Sequence, residues 1–222
     1  MNYTDIFSGI ITGLTSSIIF NPLDKIIYIS TTKNISIIDK SIRYNLFQGS
    51  INTISTRIIT SGLYFAIIDK SNHSFSNIHL SILSASLCSV TSPLQIIKFH
   101  SWYNNISMKN SYLFITKKYG IKGLFTGTPA LFMRDFIFNY IYISNKKKDC
   151  HLHNLSIITL GLIISSPLNL IKNKKYGNFE DMKTIIKNFN YKQLGICKNI
   201  IRSSLCFYFN QFLYDNIKNY VY

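Results

Sequence analysis

The 222-residue sequence contains few charged residues and very few acidic ones. Charged residues make up 15% of the chain, whereas hydrophobic residues make up 47%; soluble domains typically carry about 25% charged residues. Asp and Glu number 9 against 24 Lys and Arg, so the formal net charge is +15. This balance favours either a membrane protein that meets anionic lipid and anionic cargo, or a basic soluble protein that binds nucleic acid.

Motifs for metal binding, phosphate binding and covalent catalysis are missing. The four cysteines show no Cys-x-x-Cys spacing, and Cys150–His153 lies in a lysine-flanked connector without a second ligand cluster. The sequence has no glycine-rich phosphate loop, no Gly-x-Ser-x-Gly motif and no paired-carboxylate site. We therefore expect no metal, no cofactor and no enzymatic activity.

Long uninterrupted hydrophobic runs are also missing, since no apolar stretch reaches the roughly 20 residues of a simple transmembrane helix. Six stretches with helical character recur, at residues 5–30, 51–70, 77–103, 124–144, 154–173 and 196–218. Ser, Thr, Asn or Gly interrupts each of them, and such residues either allow close helix packing in a membrane or face a water-filled cavity. Because the stretches lack the charged outer face of soluble helices, we expect an all-α membrane protein with six transmembrane helices.

Proline is rare, and three of the four prolines occupy the same short phrase. The phrases are "NPLDKIIY" at Asn21–Tyr28, "SPLQIIKF" at Ser92–Phe99 and "SPLNLIKN" at Ser166–Asn173. Pro22, Pro93 and Pro167 each remove a helix hydrogen bond, which predicts a kink. Residues two and five positions after the proline are three apart and share a helix face.

Glycine and arginine follow each proline phrase in the same order. Gly49, Gly127 and Gly195 come first, and Arg57, Arg134 and Arg202 follow them by seven or eight residues. This order predicts three repeats, at residues 1–74, 75–150 and 151–222, within one domain. Each repeat is expected to contain a long helix with proline, a short amphipathic surface segment and a second long helix.

These residues resemble the mitochondrial carrier family over nearly the whole chain. That family has three homologous repeats, each with Pro-x-[Asp/Glu]-x-x-[Lys/Arg] on its odd helix and [Phe/Tyr]-[Asp/Glu]-x-x-[Lys/Arg] at the far end of its even helix. "YGIKGLFTGTPALFMRD" at Tyr119–Asp135 and "YDNIK" at Tyr214–Lys218 are the most specific matches. The resemblance implies a single six-helix carrier domain with pseudo-threefold symmetry in the mitochondrial inner membrane, which moves a small solute without chemical change.

The resemblance also implies two gates that close the ends of a central cavity. In the family pattern an acid of one repeat pairs with a base of the next, which here predicts an Asp24–Lys98 ion pair and a Gln95–Lys172 hydrogen bond. Asn169 faces Ile27, so the third link is lost. The gate residues implied by the family pattern are Asp24, Gln95, Lys98, Asn169 and Lys172 at one end, and Asp69, Asp215 and Lys218 at the other.

Substrate in the family is bound at mid-cavity by residues of the even helices. The residues implied here are Arg57, Arg134, Asp135 and Arg202, with Tyr64, Tyr142 and Tyr208 available to stack on a base. Arginine offers a charged fork for phosphate or carboxylate. Positive charge and tyrosines favour exchange of a nucleotide or nucleotide-like anion, whereas the Arg134-Asp135 pair resembles carriers of amino acids and related cofactors.

Lipid is the other expected partner. The family binds cardiolipin at helix starts such as those at Gly49, Gly127 and Gly195, where backbone N–H groups can face a phosphate. We expect a monomer that does not bind nucleic acid. Two alternatives stay open: a carrier-like membrane scaffold that no longer transports, and a basic soluble protein that binds nucleic acid with a steep salt dependence.

Overall fold

The computed structural model describes residues 3–37, 39, 45–71, 75–146, 151–189 and 194–221, and every regular element in these ranges is a helix. The helices in chain order are α1 (Tyr3–Thr32), α2 (Ser50–Ser71), α3 (Asn77–Val90), α4 (Ser92–Asn104), α5 (Met108–Tyr119), α6 (Thr128–Asn145), α7 (His151–Asn178), α8 (Met182–Lys187) and α9 (Ile196–Val221). A 3₁₀ turn at Ile121–Phe125 precedes α6. The predicted all-α membrane class is confirmed, and the six predicted long stretches correspond to α1, α2, α3–α4, α6, α7 and α9.

Fewer helices than the six predicted spans are both long enough and apolar enough to cross a membrane. Among the described residues, Ile6–Thr32 of α1 and Leu152–Asn178 of α7 are long and apolar enough to cross a membrane, and the bent pair α3–α4 adds a third span if it crosses as one unit. Each of α2, α6 and α9 carries one of the repeat arginines among its Ser, Thr and Asn residues, which lowers its hydropathy. Six spans therefore stay a prediction.

Six long helical segments form a closed ring. From α1, successive neighbours are α2, α3–α4, α6, α7 and α9, and α9 packs back against α1. The helices α1, α4 and α7 also contact one another, so the segments that carry the proline phrases converge at one end of the ring. The short helices lie outside this ring, where α5 packs on α4 and α8 packs on α7.

Small residues bring α1 and α2 into close contact. A Cβ atom added at Gly13 would lie 2.7 Å from the carbonyl oxygen of Arg57, so only glycine fits this helix crossing. About two turns further along α1, Asn21 Oδ1 accepts a hydrogen bond from Thr53 Oγ1 at 2.7 Å. The small and polar residues that interrupt the first apolar stretch therefore hold two helices together, as expected for membrane helix packing.

The three prolines act differently in the three repeats. Pro93 lies in the first turn of α4, and the axes of α3 and α4 differ by 54° at this break. Pro22 and Pro167 lie inside α1 and α7, which continue as helices on both sides. The bend at Pro93 matches the predicted kink, while the other two prolines do not interrupt their helices.

Three glycines in a left-handed backbone conformation precede α2, α6 and α9. The φ angles of Gly49, Gly127 and Gly195 are +79°, +86° and +56°, a region that L side chains rarely adopt. An added Cβ at Gly49 would lie 3.2 Å from Trp102 Nε1 on α4, and one at Gly127 would lie 3.0 Å from Tyr176 Cε1 on α7. These close approaches explain why the chain uses glycine at the start of each even helix.

The third glycine completes a cyclic pattern of contacts. A Cβ added at Gly195 would lie 2.3 Å from Thr31 Cγ2 on α1. Thr31, Trp102 and Tyr176 each follow the proline of their phrase by nine positions. Every glycine therefore approaches the equivalent position of a neighbouring third of the chain, an arrangement that fits three repeats; the repeat boundaries themselves stay a prediction.

Candidate functional site: a polar cavity inside the helix ring

A single polar cavity of about 460 Å³ lies inside the ring and receives side chains from all six long segments. The charged residues that line it are Asp24, Arg57, Lys98, Arg134, Asp135, Lys172 and Arg202. Five cationic and two acidic side chains give the lining a formal charge of 5 − 2 = +3. The sequence predicted all seven residues as substrate or gate residues, and the structure brings them together.

Asp24 bridges two of the predicted substrate arginines. Its Oδ1 accepts a hydrogen bond from Arg202 Nε at 2.6 Å, and its Oδ2 accepts one from Arg57 Nη2 at 3.1 Å. Arg57 also donates to Ser16 Oγ at 3.1 Å and contacts Cys206 Sγ at 3.2 Å. One partly buried carboxylate therefore ties α1 to α2 and α9.

Arg134 and Asp135 form a second ionic group on α6. Arg134 Nε donates to Asp135 Oδ1 at 2.7 Å, and its Nη1 donates to Asn169 Oδ1 on α7 at 3.1 Å. The other carboxylate oxygen, Asp135 Oδ2, is buried and accepts no hydrogen bond from the described residues, although the Cys88 side chain lies nearby. A buried oxygen without a donor is costly for the protein.

Lys98 and Lys172 are the remaining charged residues of the cavity, and both are almost completely buried. Lys98 Nζ donates a long hydrogen bond to Thr53 Oγ1 at 3.4 Å and lies 4.7 Å from the centre of the Phe99 ring. Lys172 Nζ lies 5.1 Å from the same ring and 5.9 Å from that of Tyr176. Aromatic faces attract cations, so these rings partly replace the water that burial removes.

The predicted gate pairs are not the contacts that the structure contains. Asp24 pairs with the two arginines and not with Lys98, because the longer guanidinium side chains from α2 and α9 reach it with directed N–H groups. Gln95 Nε2 donates to Thr91 Oγ1 within its own segment at 3.0 Å, and the predicted Gln95–Lys172 hydrogen bond is not formed. Asn169 accepts from Arg134. All these residues line the cavity, but their predicted pairing needs this correction.

Aromatic packing, rather than ion pairs, joins α1, α4 and α7 where they converge. The rings of Tyr28 and Phe99 lie 4.5 Å apart, and those of Phe99 and Trp102 lie 5.3 Å apart. Phe99 also stacks on Tyr176 at 5.8 Å, and the Tyr28 hydroxyl donates to the backbone oxygen of Asn173 at 3.2 Å. We call Tyr28, Phe99, Trp102 and Tyr176 the aromatic plug.

Two tyrosines predicted to stack on a substrate base are not part of the cavity lining. The Tyr142 ring packs edge-on against Phe207 at 5.4 Å, and Tyr208 belongs to the exposed face of α9. Their helix register turns them away from the cavity. The side chains of Tyr64, Asp69, Asp215 and Lys218 lie outside the described residues, so the predicted far-end gate stays a prediction.

Several polar lining residues were not singled out from the sequence. They include Cys88, Asn139, Ser166 and Asn199. The available signal was the interruption of every apolar stretch by small polar residues, which indicates a cavity-facing side but does not fix the helix rotation.

Comparison with known proteins gives one informative similarity. No family model matches the sequence. The chain is 29% identical, over an alignment of 182 positions that covers 62% of it, to the mitochondrial aspartate-glutamate transporter of Saccharomyces cerevisiae. The alignment covers 20% of that protein, so the chain spans about a fifth of the length of this relative.

Sequence similarity and structure point in the same direction. The relative is named a mitochondrial transporter, and the three proline phrases and the glycine before each even helix are the features by which this chain resembles the mitochondrial carrier family. The similarity supports a distant and partial relationship between this chain and that family.

Proposed function

We propose that this protein carries a small anionic metabolite across the mitochondrial inner membrane, by exchange and without chemical change. The observation that supports this most strongly is the cavity, because one partly open space with a formal charge of +3 receives residues from every long segment of the ring. A cleft whose lining carries excess positive charge attracts anions. In the proposed cycle, the aromatic plug separates when α1, α4 and α7 move apart.

An amino acid with an acidic side chain is the substrate class that we favour. The buried Asp135 Oδ2 offers an acceptor for an α-ammonium group beside Arg134, which offers donors for a carboxylate. The similar yeast protein is named an aspartate-glutamate transporter. The nucleotide that the sequence favoured receives no support from this similarity, and its stacking argument weakens because Tyr142 and Tyr208 do not line the cavity.

A ligand-stability screen of the purified protein tests this proposal. L-glutamate, L-aspartate, L-glutamine, ADP and ATP are added separately, and the melting temperature Tm is followed. A ligand that binds only the folded state at 100 times its Kd adds about 2.7 kcal/mol, so glutamate or aspartate should raise Tm clearly. A shift with ADP or ATP alone would instead support the nucleotide, and no shift with any of them would favour the non-transporting scaffold.

Arg134 provides the variant for the same screen. Arg134→Ala removes the donors beside Asp135 and should abolish the glutamate-dependent rise in Tm, while Arg134→Lys should restore it poorly because the guanidinium fork is lost. Lys33→Ala is the matched control, since Lys33 is an exposed cation that lies over the Tyr103 ring at 5.0 Å, outside the cavity. An undiminished glutamate response in Arg134→Ala would remove Arg134 from the substrate site.

Membrane lipid is a further part of the proposal. The starts of α2, α6 and α9, each preceded by a glycine, present free backbone N–H groups that suit a lipid phosphate. Adding cardiolipin to the detergent-solubilised protein, which we propose is a monomer, should raise Tm more than adding a zwitterionic phospholipid of the same chain length. Equal shifts with both lipids would argue against a specific cardiolipin site.

A further inference from the structure

Two lysine ammonium groups of the cavity lining contact the same ring of the aromatic plug, that of Phe99. Only 6% of Lys98 and 4% of Lys172 is exposed, although both residues line the cavity. Their Nζ atoms lie 4.7 and 5.1 Å from the centre of one ring, that of Phe99. The family pattern gives these lysines a structural role as bases of a gate, but the gate acids do not contact them here.

The carboxylates of the cavity are already engaged by arginine. Asp24 binds Arg57 and Arg202, and Asp135 binds Arg134. No carboxylate of the described residues lies within ion-pair distance of Lys98 Nζ or Lys172 Nζ. The arginines of the cavity are therefore partly neutralised by Asp24 and Asp135, whereas the positive charge of the two lysines is not neutralised by any ion pair among the described residues.

A buried ammonium without a counter-charge is strongly unfavourable, and contact with an aromatic face offsets this only in part. An anion that enters the cavity would gain most at this point. We propose that Lys98 and Lys172 form an anion-binding subsite that holds a carboxylate of the transported molecule beside Phe99.

The position of the subsite suits the second carboxylate of an acidic amino acid. Lys172, Lys98, Arg134 and Asp135 line the same cavity. A ligand whose α-ammonium and α-carboxylate groups bind Asp135 and Arg134 would place a side-chain carboxylate within reach of the lysines. This assignment of the carboxylate rests on the proposed function; the subsite itself depends on the lysines alone.

Calorimetric titration of the purified full-length protein in detergent tests the subsite with three probes. L-glutamate and L-glutamine differ only in the charged side-chain group, and malonate carries carboxylates but no ammonium group. The proteins compared are the wild type, Lys98→Gln, Lys172→Gln and Lys172→Arg. The matched control is Lys118→Gln, because Lys118 is an exposed cation that lies over the rings of Phe114 and Tyr119 but does not line the cavity.

We expect each glutamine variant to bind glutamate and malonate more weakly by roughly 30-fold or more, as when one partner of a buried charge pair is removed. Glutamine binding should change little, so the preference for glutamate over glutamine should collapse. Lys172→Arg should keep most of the preference, and Lys118→Gln should match the wild type. An unchanged preference in both glutamine variants would overturn the subsite while leaving the proposed function intact.

The probes separate the two proposals. If malonate binds with lysine dependence but glutamate does not bind, the subsite stands and the amino-acid substrate fails. If the wild type binds neither glutamate nor malonate, the subsite is overturned.

Stability without ligand provides an independent readout that guards against misfolded variants. Because each lysine is a buried cation without a carboxylate partner, Lys172→Gln should leave Tm of the ligand-free protein unchanged or raise it. A lysine that serves only to hold the fold would give the opposite sign, with a lower Tm in Lys172→Gln and normal ligand preference in the folded fraction.

Discussion

At the scale of single residues, Asp24 has a different role from the one that its motif predicts. The family pattern directs it to Lys98 of the next repeat, whereas the structure gives it Arg57 and Arg202. The sequence could predict that a carboxylate in an apolar helix needs a cationic partner. It could not choose among several cations that line one cavity, because that choice depends on side-chain reach and helix rotation.

A double-mutant cycle measures which cation Asp24 depends on. Asp24→Asn should lower the free energy of unfolding by about 1–3 kcal/mol, because it leaves two partly buried arginines without their carboxylate acceptor. Combined with Arg202→Gln, the two effects should be non-additive by about 0.5–3 kcal/mol. Chemical unfolding of the two single variants and the double variant in detergent gives these values.

The same cycle with Lys98 provides the comparison. Asp24→Asn and Lys98→Gln should couple more weakly than Asp24→Asn and Arg202→Gln, because no ion pair joins Asp24 to Lys98 in the structure. Stronger coupling to Lys98 would restore the predicted gate pair and would contradict the arginine bridge.

At the scale of helices, the sequence predicted the positions of the long helical segments more accurately than it predicted the contacts of individual side chains. The apolar stretch at 196–218 became α9, and the stretch at 77–103 became the bent pair α3–α4, with the break beside Pro93. The periodicity of apolar residues and the positions of prolines are local properties of the sequence, so they can be recognised without knowledge of the tertiary structure. The rotation of α6 and α9 about their axes could not be read in this way, and the structure places Tyr142 and Tyr208 outside the cavity lining.

The glycines before the even helices allow a test of how the helices pack. Gly195→Ala should destabilise the protein by about 1–2 kcal/mol through its left-handed backbone alone, and by more through the 2.3 Å approach to Thr31. Gly120→Ala shows backbone strain without a close contact, because Gly120 has a φ of +66° and a ψ of −170°, a region essentially restricted to glycine, and no atom lies within 4 Å of an added Cβ. Tm of both variants measures the difference.

Thr31 supplies the complementary change. Thr31→Ser removes the methyl group that an alanine at position 195 would meet, so it should recover part of the loss in Gly195→Ala. A Gly195→Ala variant whose Tm is not raised at all by Thr31→Ser would mean that the close approach between α9 and α1 contributes nothing.

At the scale of the whole molecule, the ring of six segments encloses a cavity whose charge exceeds what its own acids can neutralise. The sequence indicated this organisation through the order Pro, Gly and Arg in each third of the chain. It did not indicate how the converging end is closed, since the aromatic plug brings together Tyr28, Phe99 and Tyr176 from three distant parts of the chain. The plug contains no ion pair, so its opening should depend little on salt.

Uptake by reconstituted protein is the most direct measurement of the central claim. Proteoliposomes loaded with unlabelled L-glutamate should take up labelled L-glutamate faster than protein-free liposomes, and Arg134→Ala should reduce uptake to the protein-free level. The Lys118→Gln control should transport like the wild type, because Lys118 lies outside the cavity. Uptake of glutamate, aspartate and nucleotides at the protein-free rate by correctly folded wild-type protein would contradict the account and identify a carrier fold that no longer transports.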